Sequence, residues 1–236
     1  MEGLGRMDVR YSRQTALPEI GKEGQQRLSQ ASVFVVGAGG LGAPILLYLV
    51  AMGVGRIGFV DDDRVGESNL QRQILYTTEE IGQPKVNRAY NRLADLNPDV
   101  RLEPYETRLT AENASEILKD YDIIVDACDN YATRLLVDEI SQRMHKPYVY
   151  GAVEGFQGQV SVFNHNEGGS YRDYLGCMDR SVDEGRVINV PGALPGVIGS
   201  IQAMEVLKLI VGCGEPLSGK LLTIDLLQND YTIFML

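Results

Sequence analysis

The sequence predicts an α/β fold: a doubly wound, mainly parallel sheet extended by antiparallel strands toward its C-terminal end. Three observations carry this expectation. A β-branched apolar run, Ser32–Val36, enters a glycine turn spanning Gly37, Gly39, Gly40 and Gly42, and an apolar helical stretch leaves it, as in the Rossmann-like βαβ opening. Short apolar strands then alternate with helical patterns up to Gly151, as a parallel sheet requires. Beyond Gly151 strand patterns dominate and read as additions to the same sheet, so residues 1–236 form one domain.

Taken in order, residues 1–30 make an N-terminal arm and helix, with 11–15 extended and 17–30 helical. Ser32–Val36 is the first strand. Gly42–Met52, almost wholly apolar, is a buried helix. Arg56–Val60 is the second strand, and residues 61–83 are polar and irregular with a short helix near 69–75. Pro84 opens a helix that Asn97-Pro98 stops. A strand follows over 100–105, a helix over 112–119, a strand over 123–127, a helix over 131–145 and a strand over 147–151. Residues 157–164 alternate as a strand. The stretch 165–190 is polar, Gly-rich and aperiodic, and reads as a mobile crossover loop. An apolar-faced helix covers 197–211, and 221–225 with 231–234 make a terminal hairpin.

Composition narrows the function. The 236 residues suffice for one full core, and 44% hydrophobic with 23% charged residues is ordinary for a globular chain. A net charge of −10 argues against nonspecific nucleic-acid binding. No apolar run reaches about 18 residues, so no membrane span is expected. The first residues lack an apolar signal core. Cys128, Cys177 and Cys213 are widely spaced and form no CxxC pair, so a cytoplasmic protein without disulfides is expected.

The glycine turn offers backbone N–H groups to an anion at a helix N-terminus. Gly37 permits the tight turn, Gly39 close approach of a phosphate, and Gly42 helix-on-strand packing. Asp61, at the end of the second strand, can accept hydrogen bonds from ribose hydroxyls. NAD and FAD enzymes share these features, and a nicotinamide-dependent oxidoreductase is the rival reading. Three later clusters tilt the balance: Asp61 to Gln73, Gly82 to Lys85, and Asp126 to Asn130. Arg72 can grip phosphate oxygens bidentately and Lys85 adds a point charge, while Asp129 can hold Mg²⁺. That set suits a nucleoside triphosphate better than a nicotinamide.

Together with Arg10-Tyr-Ser-Arg13-Gln14, Ser68-Asn-Leu-Gln-Arg72-Gln73, Gln83-Pro-Lys85 and Leu194-Pro-Gly-Val-Ile-Gly-Ser200, these strings resemble the ThiF/MoeB/HesA adenylyltransferases, relatives of the ubiquitin-activating enzymes. The resemblance covers nearly the whole chain. It implies a homodimer that uses ATP and Mg²⁺ to adenylate the C-terminal glycine of a small ubiquitin-like sulfur-carrier protein ending in Gly-Gly. It further implies that Gly37, Gly39, Gly40, Leu41 and Gly42 contact the nucleotide and that Asp61 binds the ribose. Asp63, Ser68, Asn69, Leu70, Gln71, Arg72 and Lys85 would then surround the phosphates. Asp129 would hold Mg²⁺ beside Asn130, and Arg13 would reach the nucleotide of the other subunit. Within the family the thiamine-thiazole branch is favoured over the molybdopterin branch, and the tRNA-modifying branch is disfavoured by the acidic charge.

Two departures matter. Many members carry two CxxC pairs for a structural zinc. Here Ser170-Tyr-Arg-Asp173 stands at the first and the chain stops short of the second, so no zinc is expected. Some members link covalently to the carrier through a loop cysteine. The matching place, near Gly185, holds none, and Cys177 lies in that loop out of register. The remaining features take plain readings: Asp126 a turn or capping residue, Asp62 and Arg64 surface charges, Cys128 a buried small side chain, Cys213 a helix end, and His145 and His165 isolated.

Overall fold

A computed structural model describes residues 9–166, 168–176 and 188–236. The elements in chain order begin with α1 (Ser12–Thr15), α2 (Gly21–Gln30), β1 (Ser32–Val36), α3 (Gly42–Met52) and β2 (Arg56–Val60). Next come α4 (Lys85–Leu96), β3 (Arg101–Tyr105), α5 (Ala114–Leu118), β4 (Ile123–Asp126) and α6 (Tyr131–Arg143). The chain continues with β5 (Tyr148–Glu154), β6 (Gln157–Phe163), α7 (Tyr171–Tyr174), α8 (Ala193–Val211), β7 (Lys220–Asp225) and β8 (Asp230–Met235). Short 3₁₀ turns occupy Glu67–Asn69 and Thr78–Glu80.

The strands form one sheet in the order β3-β2-β1-β4-β5-β6-β7-β8. Pairings from β3 to β5 are parallel and those from β5 to β8 antiparallel, as the sequence predicts. The chain winds outward from β1 through β2 to β3, then returns to place β4 on the other side of β1. The strand order thus reverses between β1 and β4, where a crevice opens outside the carboxyl ends of open α/β sheets. Val36 pairs with both Val60 and Asp126, so the three segments that follow these strands leave the sheet at one level.

Each face of the sheet carries its own apolar cluster. One joins α3, α4 and α8 to the sheet through Leu46, Leu49, Leu93, Ile198 and Val206. The other joins α5 and α6 through Phe34, Leu118, Val137, Tyr148 and Phe163. By length and composition alone α8 suffices to cross a bilayer, yet Leu194, Ile198, Ala203 and Val206 are fully or almost fully buried in the first cluster.

Where elements differ from the sequence reading, local chemistry accounts for it. The stretch 11–15 is a helical turn, not an extended arm, because buried Tyr11 accepts a hydrogen bond from Asn97 Nδ2 at 2.8 Å and anchors it. No helix forms over 69–75. The helical stretch there is limited to the 3₁₀ turn Glu67–Asn69, whose start is held by Asn69 Oδ1 accepting from the Gly66 N–H at the N-cap. The strand expected to end at Gly151 runs on to Glu154, carried by its antiparallel register with β6. Helix α8 starts at Ala193 rather than 197, with Pro195 in its first turn, where a missing N–H costs nothing. Within the stretch expected to be a mobile crossover loop, 168–176 is packed. Ser170 and Asp173 form a capping box, Asp138 accepts from the Tyr171 and Arg172 N–H groups, and Tyr171 is buried against Tyr150 and Phe163. Cys177 and Gly185 lie outside the described residues.

Candidate active site

At Gly37 and Gly42 the glycine turn leaves no room for a side chain. Gly37 has φ +106°, and a Cβ there would sit 2.6 Å from the Ala127 carbonyl oxygen. A Cβ on Gly42 would collide with the Gly37 carbonyl, which is how the first turn of α3 comes to rest on the end of β1. Asp61 braces this turn. Its Oδ2 accepts from the Ala38 N–H at 2.8 Å, and its Oδ1 accepts from the Asp63 N–H at 2.9 Å. Burial pushes the Asp61 carboxyl above its usual range, with the nearby Lys85 ammonium and the two N–H groups pulling the other way.

Lys85, the first residue of α4, is buried, and its Nζ donates to Asp63 Oδ2 at 2.8 Å. Carboxylate oxygens of Asp61, Asp62 and Asp63 converge within 4.8 Å of one another. On the segment between β2 and α4, Arg72 lays its alkyl stem along Gly40 and donates from Nη1 to the Ser68 carbonyl at 3.1 Å. Gln73 is buried beside Gly39, and its Oε1 has no hydrogen-bond partner among the described residues.

Across the crevice the connection from β4 to α6 carries Cys128, Asp129 and Asn130. Asn130 caps α6, its Oδ1 accepting from the Thr133 N–H at 2.9 Å. Asp129 is exposed, and its carboxylate makes no hydrogen bond or ion pair among the described residues, which leaves oxygen ligands free for a hard cation. Burial raises the Cys128 thiol well above its ordinary value, so it is not a thiolate nucleophile at neutral pH.

These parts line a cleft of about 490 Å³. Of the residues singled out from the sequence, Gly37, Gly39, Gly40, Leu41, Asp61, Asp63, Asn69, Arg72, Lys85, Asp129 and Asn130 are brought together along it. Gly42, Ser68, Leu70 and Gln71 are not among its lining residues. Gly42 supports the turn from behind, and Ser68 turns its carbonyl to Arg72. Leu70 packs against the core, and a Cβ on Gly192 would collide with the Gln71 carbonyl. Arg13 is exposed and outside the cleft. Its neighbour Tyr11 is pressed against Gly53, which caps the far end of α3, about 16 Å along that helix.

Sequence reasoning missed Gln73, Thr107, Arg108 and Arg134 as lining residues. Asp126 is the turn residue expected, its Oδ1 accepting from the Cys128 N–H at 2.9 Å, and is in addition a buried ion-pair partner of Arg134 at 3.0 Å, which sequence reasoning missed. The signal for Asp126 was its place at the end of an apolar strand, where an unpaired carboxylate is costly.

The ThiF family profile matches residues 11–236. The chain belongs to the ThiF family. It is 51% identical over 233 residues to the sulfur carrier protein adenylyltransferase of Thermus thermophilus, covering 94% of this chain and 84% of that protein. To the probable molybdopterin-synthase adenylyltransferase of Porphyra purpurea it is 42% identical, covering 96% of this chain but 60% of the relative's length. Adenylyltransferases recur among its relatives, and this ThiF-family chain is an enzyme of that class. The fold agrees: a crystal structure of MccB from E. coli superposes with a TM-score of 0.85 over 98% of this chain and 72% of MccB, at 20% identity. MccB with ATP gives 0.84 over 96% of this chain and 71% of its own length, at 21% identity.

Proposed function

We propose that this ThiF-family enzyme uses ATP and Mg²⁺ to adenylate the C-terminal glycine of a small ubiquitin-like sulfur-carrier protein. The observation that carries the proposal is the gathering of Arg72, Lys85 and Asp129 around one glycine turn, in a cleft that Asn130 also lines. A relative 51% identical is named for this class of carrier, which supports the substrate class.

The carrier's terminal carboxylate attacks the α-phosphorus of ATP, a new P–O bond forms, and the bond to pyrophosphate breaks. The carboxylate is already ionised at neutral pH, so no general base is needed. The work is positioning and charge neutralisation. Asp61 would receive ribose hydroxyls on the lone pairs its two backbone partners leave free. Arg72 and Lys85 would neutralise the phosphate chain from the side of β2, and Asp129 would hold the metal from the side of β4. Bound Mg²⁺ would supply Lewis-acid neutralisation of phosphate oxygens.

We assign the enzyme to the cytoplasm and to a homodimer in which Arg13 serves the partner subunit's cleft. Its position far from its own cleft favours this role. Mixing Arg13→Ala and Asp129→Ala subunits is expected to restore part of the activity, and no recovery refutes shared sites. A thiamine-thiazole carrier is the favoured substrate and a molybdopterin-synthase carrier the alternative, the latter supported by a 42% identical relative's name.

Carrier-dependent exchange of labelled pyrophosphate into ATP tests the reading. Exchange with one carrier and none without it is expected. Tight NADH or NADPH binding with no exchange refutes it and favours the oxidoreductase.

A further inference from the structure

Arg134, on the first turn of α6, lines the cleft but meets nothing in the role assignments above. Its Nε donates to Asp126 Oδ2 at 3.0 Å. Its Nη2 donates to the carbonyl oxygens of Cys128 at 3.0 Å and of Gly151 at 3.4 Å. The guanidinium also lies 5.5 Å from the centroid of the Tyr150 ring. Asp126, 1% exposed at the end of β4, accepts in addition from the Cys128 N–H at 2.9 Å and from the Tyr148 hydroxyl at 3.0 Å. One ion pair therefore grips Cys128 by both its N–H and its carbonyl, and ties it to β5 at Gly151.

That carbonyl belongs to the peptide joining Cys128 to Asp129. The Asp129 side chain has no partner of its own among the described residues, so the backbone on either side of it sets where it points. Asn130 fixes the following peptide by capping α6. We infer that Arg134, held by Asp126, is a positioning residue that sets the direction in which Asp129 is presented to the cleft. The inference rests on the reading of Asp129 as the metal-holding group. A buried ion pair often contributes no more stability than an apolar pair of similar volume. What an apolar pair lacks is the planar fork with several directed donors, which a lysine also lacks. The pair's contribution is then to geometry more than to stability.

The test uses two variants of the full chain. Asp126→Asn with Arg134→Met removes both charges together, so that no buried charge is stranded, and Arg134→Lys keeps the charge but loses the fork. Amide hydrogen exchange of a peptide spanning 127–131 is expected to accelerate in both, with the rest of the sheet protected as in the wild type. Pyrophosphate exchange is expected to fall by about 10²-fold, the scale of a small misplacement in a preorganised site, with the Mg²⁺ midpoint raised. Adding Asp129→Ala to the double variant should cost less than about threefold more, because groups that act as a unit are not additive. Unchanged protection at 127–131, or penalties that multiply in full, overturns the inference. If the wild type exchanges pyrophosphate with no carrier, the proposed function fails, while the amide exchange still decides whether Arg134 holds this loop. Should the double variant not fold, Arg134→Lys gives the same readouts.

Discussion

Replacing Lys85 by Met isolates the charge that the cleft holds deepest. The Lys85 side chain is 4% exposed, and its only hydrogen bond among the described residues runs to Asp63, whose side chain is 70% exposed. Two of the three ammonium donors are therefore unspent. An ion pair with so exposed a partner is worth about 0–1 kcal/mol, so stability alone does not explain a buried ammonium there. Offered to phosphate, each charge-assisted hydrogen bond is worth about 1.5–3 kcal/mol, and one lost electrostatic stabiliser in a preorganised site costs about 2.7–4 kcal/mol. At about 1.4 kcal/mol per factor of ten, carrier-dependent pyrophosphate exchange should fall by about 10²–10³. Met matches the stem of Lys85, so the melting temperature should move by no more than about 2–4 °C. A second signature follows from Asp61. Lys85 restrains a carboxyl that burial already raises, so without it the carboxyl rises further and residual activity fails at a higher pH on the acid side. A folded Lys85→Met protein exchanging within threefold of the wild type refutes the reasoning.

Three further outcomes follow from the structure. Gly42→Ala drives a methyl group into the Gly37 carbonyl and should cost about 1–3 kcal/mol or more, read as a lower urea midpoint, whereas an unchanged midpoint contradicts the packing described. The Glu103 carboxyl is held down to about 2 by Arg56, with help from the Tyr121 hydroxyl and Arg101. Its contribution is complete above the unfolded value of about 4.3 and lost as pH falls toward 2, so Glu103→Gln should flatten the acid limb of the melting-temperature profile, and an unaltered limb speaks against it. Cys128 should resist iodoacetamide at mildly alkaline pH while the protein is folded, because its thiol is held protonated, and rapid modification seen by mass spectrometry contradicts that.

The strands and long helices were legible because each writes its own period. The runs Ser32–Val36, Gly42–Met52 and Arg56–Val60 stand in the structure with the bounds read from the residues. The glycine turn, Asp61, Arg72, Lys85 and Asp129 were legible because backbone geometry and charge type restrict what can stand at those places. What escaped depends on partners distant in sequence. Arg134 meets Gly151 only because β4 and β5 are neighbours, and Tyr11 meets Asn97 only across the end of α3. Ser68 and Gln71 sit in the same string but are not among the cleft's lining residues, since a short irregular segment has no period from which to read orientation.

Asp61 holds together two backbone segments, the turn at Ala38 and the step to Asp63. Any exchange at that position meant to retune which sugar hydroxyls or phosphates the cleft accepts also unfastens the loop that shapes it. With Asp61 in the ribose-binding role proposed above, ligand preference and loop architecture would be coupled through a single carboxylate, and divergence in what this cleft accepts would proceed through its other walls first.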